Sequence, residues 1–463
     1  MYMKNGKANT MTEGAKGRAG AHGRDMTHGS IAGQILLFSL PLMLGNVFQM
    51  FYNTVDAIVV GNFVGKEALA AVGSTTVIVN MAVFFFNGFA VGTGVWIGRY
   101  FGAKDAKRLH ETVQTAMGMT FLFSACFTVL GVVGVGPMLR FMKTPEDVMA
   151  DATQYLTIYF AGISGLLIYN SGSGILRAVG DSARPLYFLI LTSLLNVGLD
   201  LLFVIRFAMG IRGVAWATVI AQAVSAVLVL ILLTQSREMI RFSWRELAIR
   251  GAVLRDIFSV ALPAGIQAVI TSFSNIFVQS YVNAFGAACM AGWGSYNKLD
   301  SFIMMPMQSF AMAATTFVSQ NIGAGQETRA HRGTWTTVGL ALGVTGAIAA
   351  GLFAFAEPAV RLFSKDPDVV RFGALFLRTN TFFLLANCMN HVLAGTLRGR
   401  GDARGPMIIM LACFVGVRQL YLLIVTRFVA NDPQLVGLGY PVGWVTCCIA
   451  EAIYYNRRGR RVR

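Results

Sequence analysis

Charge is scarce in this chain. Asp, Glu, Lys and Arg make up 13% of its 463 residues, where a soluble protein carries about a quarter. That little charge cannot coat a globular surface of this size, so an assembly of soluble domains is excluded. The six cysteines (Cys126, Cys289, Cys388, Cys413, Cys447 and Cys448) all lie in apolar runs. None form CxxC, which supports neither a zinc site nor a disulfide scaffold. The sequence shows no metal-spaced His/Cys set, no nucleophile–His constellation, no phosphate-cradling loop and no nucleotide motif. An enzyme, a bound cofactor, a nucleotide and ATP drive are therefore not expected. Residues 1–30 are polar and lack an apolar core segment, so they read as a disordered tail and not a cleaved signal peptide.

What is present is apolar. Hydrophobic residues make up 55% of the chain, with 34 Phe and 50 Gly, and mean hydropathy is +0.60. Gly is tolerated in membrane helices and lets them pack closely. Twelve uninterrupted apolar stretches each approach the ~20 residues a helix needs to cross a bilayer. They fall at 31–60, 68–97, 113–136, 154–174, 185–204, 214–233, 260–285, 290–318, 337–356, 372–394, 407–425 and 437–455. With the amino terminus inside, the inner segments carry 26 Lys/Arg and the outer loops nine. The positive-inside rule then places both termini in the cytoplasm of a multi-pass protein of the inner (plasma) membrane. The net charge of +16 reads as basic loops facing anionic lipid and not as a nucleic-acid footprint. The expected organisation is a tail at 1–30, a six-helix lobe at 31–233, a cytoplasmic linker at 234–259, a second lobe at 260–455 and a basic tail at 456–463.

The chain repeats itself at a shift of about 221. Gly174-Ile-Leu-Arg177-Ala-Val-Gly180-Asp181 matches Gly395-Thr-Leu-Arg398-Gly-Arg-Gly401-Asp402, Gly102 falls on Gly323, and Pro41 meets Pro263 at a shift of 222. Six spans per half is an even number, so the halves are parallel repeats with a cavity between them near the membrane midplane. The expected fold is an all-α integral membrane protein of twelve transmembrane helices in two parallel six-helix repeats around a central cavity. Rocking of the two bundles would give alternating access, and transport leads the functional readings. A monomer is expected.

Polar residues inside the spans carry the specific information. Asn46, Asn53 and Asp56 share one face of the first helix. An ionisable group that deep costs about 3 kcal/mol to insert. Asn196 and Asp200 share a face of the fifth helix by their i, i+4 spacing, and Thr218 offers a hydroxyl on the sixth. A cap or an interhelical hydrogen bond for Asp56, or a pair with Arg206 for Asp200, would be the purely structural alternatives. Val55-Asp56-Ala-Ile-Val-Val-Gly61, then Gly65-Lys-Glu-Ala-Leu-Ala70-Ala-Val-Gly73, the repeated LeuArg…GlyAsp turns and the AsnxxxAsp step together resemble the MATE (multidrug and toxic compound extrusion) transporters over residues 31–455.

The resemblance implies an antiporter that expels organic, mainly cationic, drugs or metabolites against inward H+ or Na+. The DinF-like branch it resembles implies an ion site at Asp56, Asn196, Asp200 and Thr218, for a proton or for Na+. The NorM-like branch implies two second-lobe acids. Thr271 and Asn390 stand at those positions here, so both acids are absent. Substrate-cavity candidates are Tyr52, Asn53, Tyr155, Asn170, Asp300, Asn390 and His391. Phe84, Phe85, Phe86 and Tyr159 could join them, binding flat cations through their ring faces.

The second half also holds Lys298, Arg378 and Arg418 within its spans. One reading is a buried network in which a nearby cation neutralises Asp300. The other is a substrate or proton-relay site, open to anionic or zwitterionic cargo. A lipid-linked oligosaccharide flippase of the wider superfamily is the rival function, and it would need a strongly cationic cavity. The paired turns are expected to pin their ends through Arg177–Asp181 and Arg398–Asp402 ion pairs.

Overall fold

The computed structural model describes residues 24–236 and 239–460. The expected tail as far as residue 23, Arg237 in the linker and the last three residues lie outside the described residues, as do the side chains of Phe84 and Phe85. Twelve long helices follow in order: α1 Ile31–Val64, α2 Lys66–Gly102, α3 Ala106–Phe141, α4 Glu146–Ala178, α5 Ala183–Arg206, α6 Ile211–Gln235, α7 Gly251–Asn283, α8 Ala287–Gly323, α9 Glu327–Ala354, α10 Pro367–Gly399, α11 Arg404–Val429 and α12 Pro433–Arg458. Helix α10 is bent by 55° at its break before Leu384. No strand occurs among the described residues.

Each helix overlaps an expected span and runs past it at one end or both. Most of the extra turns carry charged or polar residues, which hydropathy does not register. Side-chain caps set several starts. Ser30 accepts from the Gly33 N–H at α1, Asp105 from the Arg108 N–H at α3, and Asp432 from the Gln434 N–H at α12. Helix α7 begins at Gly251, nine residues earlier than expected, which shortens the linker. What remains of the linker lies along α3: His110 meets Glu246 at 2.5 Å, Arg250 pairs with Glu111, and Phe121 stacks on Trp244 at 5.3 Å.

Helices α1–α6 and α7–α12 form two lobes. The lobes meet where α2 packs on α7 and α8 and where α1 packs on α8 and α9. The even span count puts both termini at one end of the bundle, the proximal end. There α2 and α8 cross so closely that only glycine fits. A Cβ on Gly102 would run into the Gln320 carbonyl, and one on Gly323 would run into the Arg99 carbonyl. The repeat shift relates Gly102 to Gly323 and Arg99 to Gln320, so the crossing is one contact made twice about the pseudo-two-fold axis.

The described part of the amino-terminal segment is docked, which corrects the tail expected to reach residue 30. The Met26 side chain is buried. Its N–H donates to Gln320 Oε1 at 2.9 Å, and its carbonyl accepts from Asn321 Nδ2 at 3.2 Å and Arg329 Nη2 at 3.3 Å. Gln320 Nε2 also donates to the Ala178 carbonyl at 2.8 Å. The strap thus ties α8 and α9 to the end of α4 beside the crossing.

The repeated turns take the expected backbone. Gly180 and Gly401 have φ of +87° and +86°, open to glycine at little cost. Their expected ion pairs are not formed. Asp181 pairs with Arg184, while Arg177 Nε donates to the Ser173 carbonyl at 3.1 Å. Asp402 takes the Tyr454 hydroxyl at 2.7 Å and Arg458 at 3.4 Å, while Arg398 donates to Gln267 Oε1 at 3.4 Å. Each arginine precedes its turn by three residues on the helix, so it leans back into the bundle while the Asp caps the following helix.

Candidate functional site

A cavity of about 1100 Å3 lies between the lobes. Its amino-terminal wall is built by α1, α2, α4, α5 and α6. Asp56, Asn196 and Thr218 line it, and Asp200 stands behind them, 0% exposed. The Asp56 and Asp200 carboxyls are neighbours across the α1–α5 contact. The backbone loosens beside both acids. Helix α1 becomes π-helical over Val60–Val64 and α5 over Leu202–Arg206, a widening often found at functional sites.

The cluster is left unsatisfied. Asp56 Oδ1, both Asp200 oxygens and both Asn196 amide atoms are buried without a hydrogen-bond partner. Thr218 donates to the Val214 carbonyl at 3.0 Å, which leaves its oxygen lone pairs free to accept. Buried polar atoms are paired in the great majority of cases, so four oxygens on two acids and an amide without donors are costly. Asp200 does not pair with Arg206 and neither acid caps a helix, while an interhelical contact of Asp56 with Asp200 is present. Oxygen atoms grouped in this way suit a proton or a hard cation.

The cavity candidates separate clearly. Tyr52, Asn53, Tyr155, Asn170, Asp300 and His391 all line the cavity. Tyr155 stacks on Tyr159 with centroids 6.2 Å apart. Asn390 does not line it: fully buried on α10, it donates from Nδ2 to the Trp444 carbonyl at 3.0 Å. Phe86 is also off the wall, buried against Phe89 and Phe123.

The neutralising network expected around Asp300 is absent. Lys298 points to the ring of Phe363, 5.4 Å from its centroid, and Arg378 pairs with Glu357 at 3.3 Å. Asp300 Oδ1 is buried without a partner. Lys298 and Arg378 are exposed, because the helix rotation carries them to the outer faces of α8 and α10.

Several polar residues escaped the sequence reading. Asn275 on α7 and Gln222 on α6 line the cavity, and Glu451 on α12 is buried with both oxygens unpartnered. The repeat held the signal for the first: Asn53 plus 222 is Asn275. Glu451 was visible as the one acid of its span.

Known proteins agree with this architecture. The MatE family pattern matches residues 41–202 and again 263–422, one match in each lobe. "Probable multidrug resistance protein YpnP" of Bacillus subtilis (strain 168) is 30% identical over 442 residues, covering 94% of this chain and 97% of that protein. The "FAD transporter" of Shewanella oneidensis is 24% identical over 352 residues, 74% of this chain and 77% of that protein. A solved structure described as an outward-facing conformation of a multidrug resistance MATE family transporter superposes with a TM-score of 0.89 at 22% identity, covering 96% of this chain and 100% of that one. With the family pattern present in both lobes and a relative alike over almost the whole length, this chain belongs to the MatE family of membrane proteins, the group that its helix-one and helix-five motifs resemble.

Proposed function

We propose that this protein is a cation-coupled antiporter of the plasma membrane, exporting organic drugs or metabolites by alternating access, with both termini in the cytoplasm. The observation that carries the reading is the partnerless oxygen cluster of Asp56, Asn196 and Asp200 on the wall of a cavity between two pseudo-symmetric lobes. An inward H+ or Na+ would neutralise that cluster, and the lobes would re-pack around it. A cationic substrate leaning on Asp56 would compete with the ion, which couples the two fluxes. In this reading the proximal end is the cytoplasmic one, and parting of the helices at the Gly102–Gly323 crossing would open it. The names of the relatives, multidrug resistance proteins among them, support the cargo class. A lipid-linked oligosaccharide would need a strongly cationic cavity; Arg177, Arg398 and Arg418 line this one, but so do the carboxyls of Asp56 and Asp300.

The deciding experiment uses purified protein in liposomes with ethidium as cargo and imposed ΔpH or Na+ gradients. Gradient-dependent ethidium transport in the wild type is expected. Its absence under both gradients would overturn the reading.

A further inference from the structure

We infer that the linker between α6 and α7 is a binding site for an anionic phospholipid of the cytoplasmic leaflet. Arg241 and Arg245 take the headgroup phosphate, and Trp244 sits at the boundary with the acyl chains. The site lies outside the cavity. It depends on the orientation of the spans and not on the antiporter reading.

The linker turns back against the bundle. Past the end of α6 at Gln235, Ile240 and Phe242 are buried, and the Phe242 N–H donates to the Leu233 carbonyl at 3.0 Å. Trp244 stands edge-on to Phe242, with centroids 4.8 Å apart, and its other neighbour is the stacked ring of Phe121 on α3. The chain then follows α3. Leu247 and Ile249 lie over Gly118. The Ala248 carbonyl accepts from Thr115 Oγ1 at 3.4 Å, and the Arg250 N–H donates to the same hydroxyl at 3.3 Å.

These contacts fix the depth of the segment. Leu233 closes the apolar stretch of α6, and Phe121 lies inside that of α3, which begins at Val113. The linker therefore runs along the inner edge of the apolar zone. Its side toward the bundle is packed, and its outer side is not: Trp244 is 58% exposed, Ile249 46% and Leu247 39%. Tryptophan favours the headgroup level of a bilayer. An apolar edge on a docked segment at this depth belongs against lipid, as in helices that lie in the interface.

Charge names the lipid. Residues 236–250 hold four arginines and two glutamates. Glu246 is taken by His110 and Arg250 by Glu111. Arg241 and Arg245 flank Trp244 in the chain, are exposed, and make no ion pair among the described residues. An arginine at such a boundary lays its stem on apolar surface and lifts its head to the interface, and its fork matches a phosphate. A choline headgroup neutralises its own phosphate; an anionic headgroup leaves the charge for the protein, and basic residues near the surface favour it. Free phosphate has no use for the Trp244–Leu247–Ile249 edge. The linker is also the covalent joint between the lobes, so a lipid held there ties the α3 side of that joint to the leaflet.

The test places full-length protein in phosphatidylcholine liposomes that contain a minor, equal fraction of either dibrominated phosphatidylglycerol or dibrominated phosphatidylcholine. Bromine on the acyl chains quenches an indole only at close range. The signal of Trp244 is the difference between the wild type and Trp244→Phe. The brominated phosphatidylglycerol is expected to quench that signal at least about twofold more than the brominated phosphatidylcholine, as two basic groups facing an anionic headgroup would give. The double variant Arg241→Gln, Arg245→Gln should be quenched equally by the two lipids, with the signal of the remaining tryptophans unchanged. The corresponding pair of Arg→Lys changes should keep part of the preference, since the charge stays and the fork is lost. Equal quenching in the wild type would overturn the inference, whether or not the variants fold. So would an absence of Trp244 quenching by either lipid, which would put the linker in water, or a preference that survives the two Gln changes. Loss of the preference on adding inorganic phosphate at constant ionic strength would make the arginines a site for free anions and overturn the lipid assignment. The readout needs no gradient and no cargo, so its failure leaves the antiporter reading standing, and failed ethidium transport leaves the lipid site standing.

Discussion

Replacing Asp56 by Asn keeps the side chain's shape and removes its charge. If the acid couples the ion, Asp56→Asn should reach the membrane in normal amount and lose gradient-driven efflux at least about tenfold; wild-type efflux at matched expression would remove Asp56 from the role. Asp200→Asn makes a different demand. Both Asp200 oxygens are buried without donors, so an ionised carboxylate there is a liability that the amide lifts. Thermal unfolding in detergent should find Asp200→Asn at least as stable as the wild type in the absence of ions. The rise in Tm that the wild type gains on adding Na+ or lowering pH should be missing. These two acids were legible in the sequence because a carboxyl within an apolar run is costly enough to need a reason. Asn275 and Gln222 were not, since a neutral amide sits in such a run at small cost. Nor could spacing show whether a cation met Asp300: that depends on how α8 and α10 are rotated, and rotation sent Lys298 and Arg378 outward.

Among the elements, the crossing of α2 over α8 is the feature most exposed to single substitutions. A Cβ on Gly102 meets backbone and not a movable side chain, so Gly102→Ala must push the helices apart. Overpacking of this kind costs about 1–3 kcal/mol, and here the state with the proximal end closed bears it. Gly323→Ala should have the same effect because the contact is reciprocal. Maleimide labelling of a cysteine placed at Ser319, in a background without the six native cysteines, should rise severalfold in either variant; unchanged labelling would mean that the crossing does not gate. Deleting residues 1–27 removes the Met26 strap and should move labelling in the same direction. Helix number and order were readable because each span must supply about 20 apolar residues. The polar extensions, the π-helical turns and the strap were not, since no lipid constraint acts on them. The LeuArg…GlyAsp turns were read correctly as backbone and incorrectly as ion pairs: glycine reports φ, but partner choice is decided by the neighbouring helices.

For the whole molecule, the question is how far one ion can drive export. A membrane potential of 100 mV supplies about 2.3 kcal/mol per elementary charge, and one pH unit adds about 1.36 kcal/mol. One inward proton thus offers about 3.7 kcal/mol, enough for roughly a 500-fold gradient of a neutral or zwitterionic cargo, since tenfold corresponds to about 1.4 kcal/mol. Exchange of one proton for one monovalent cation moves no net charge, and only the pH term remains, roughly tenfold. The net charge of the cargo gives this arithmetic a consequence that a matched pair of probes can read. If Asp56 and Asp200 share a single proton, export of rhodamine B, a net-neutral zwitterion, should respond to ΔpH and to voltage alike. Export of its cationic methyl ester should respond to ΔpH and barely to voltage. Liposomes with ΔpH and membrane potential clamped independently, and no Na+ present, make the measurement. A steep voltage response for the ester would require more than one proton per cycle, and the two acids would then have to bind protons separately.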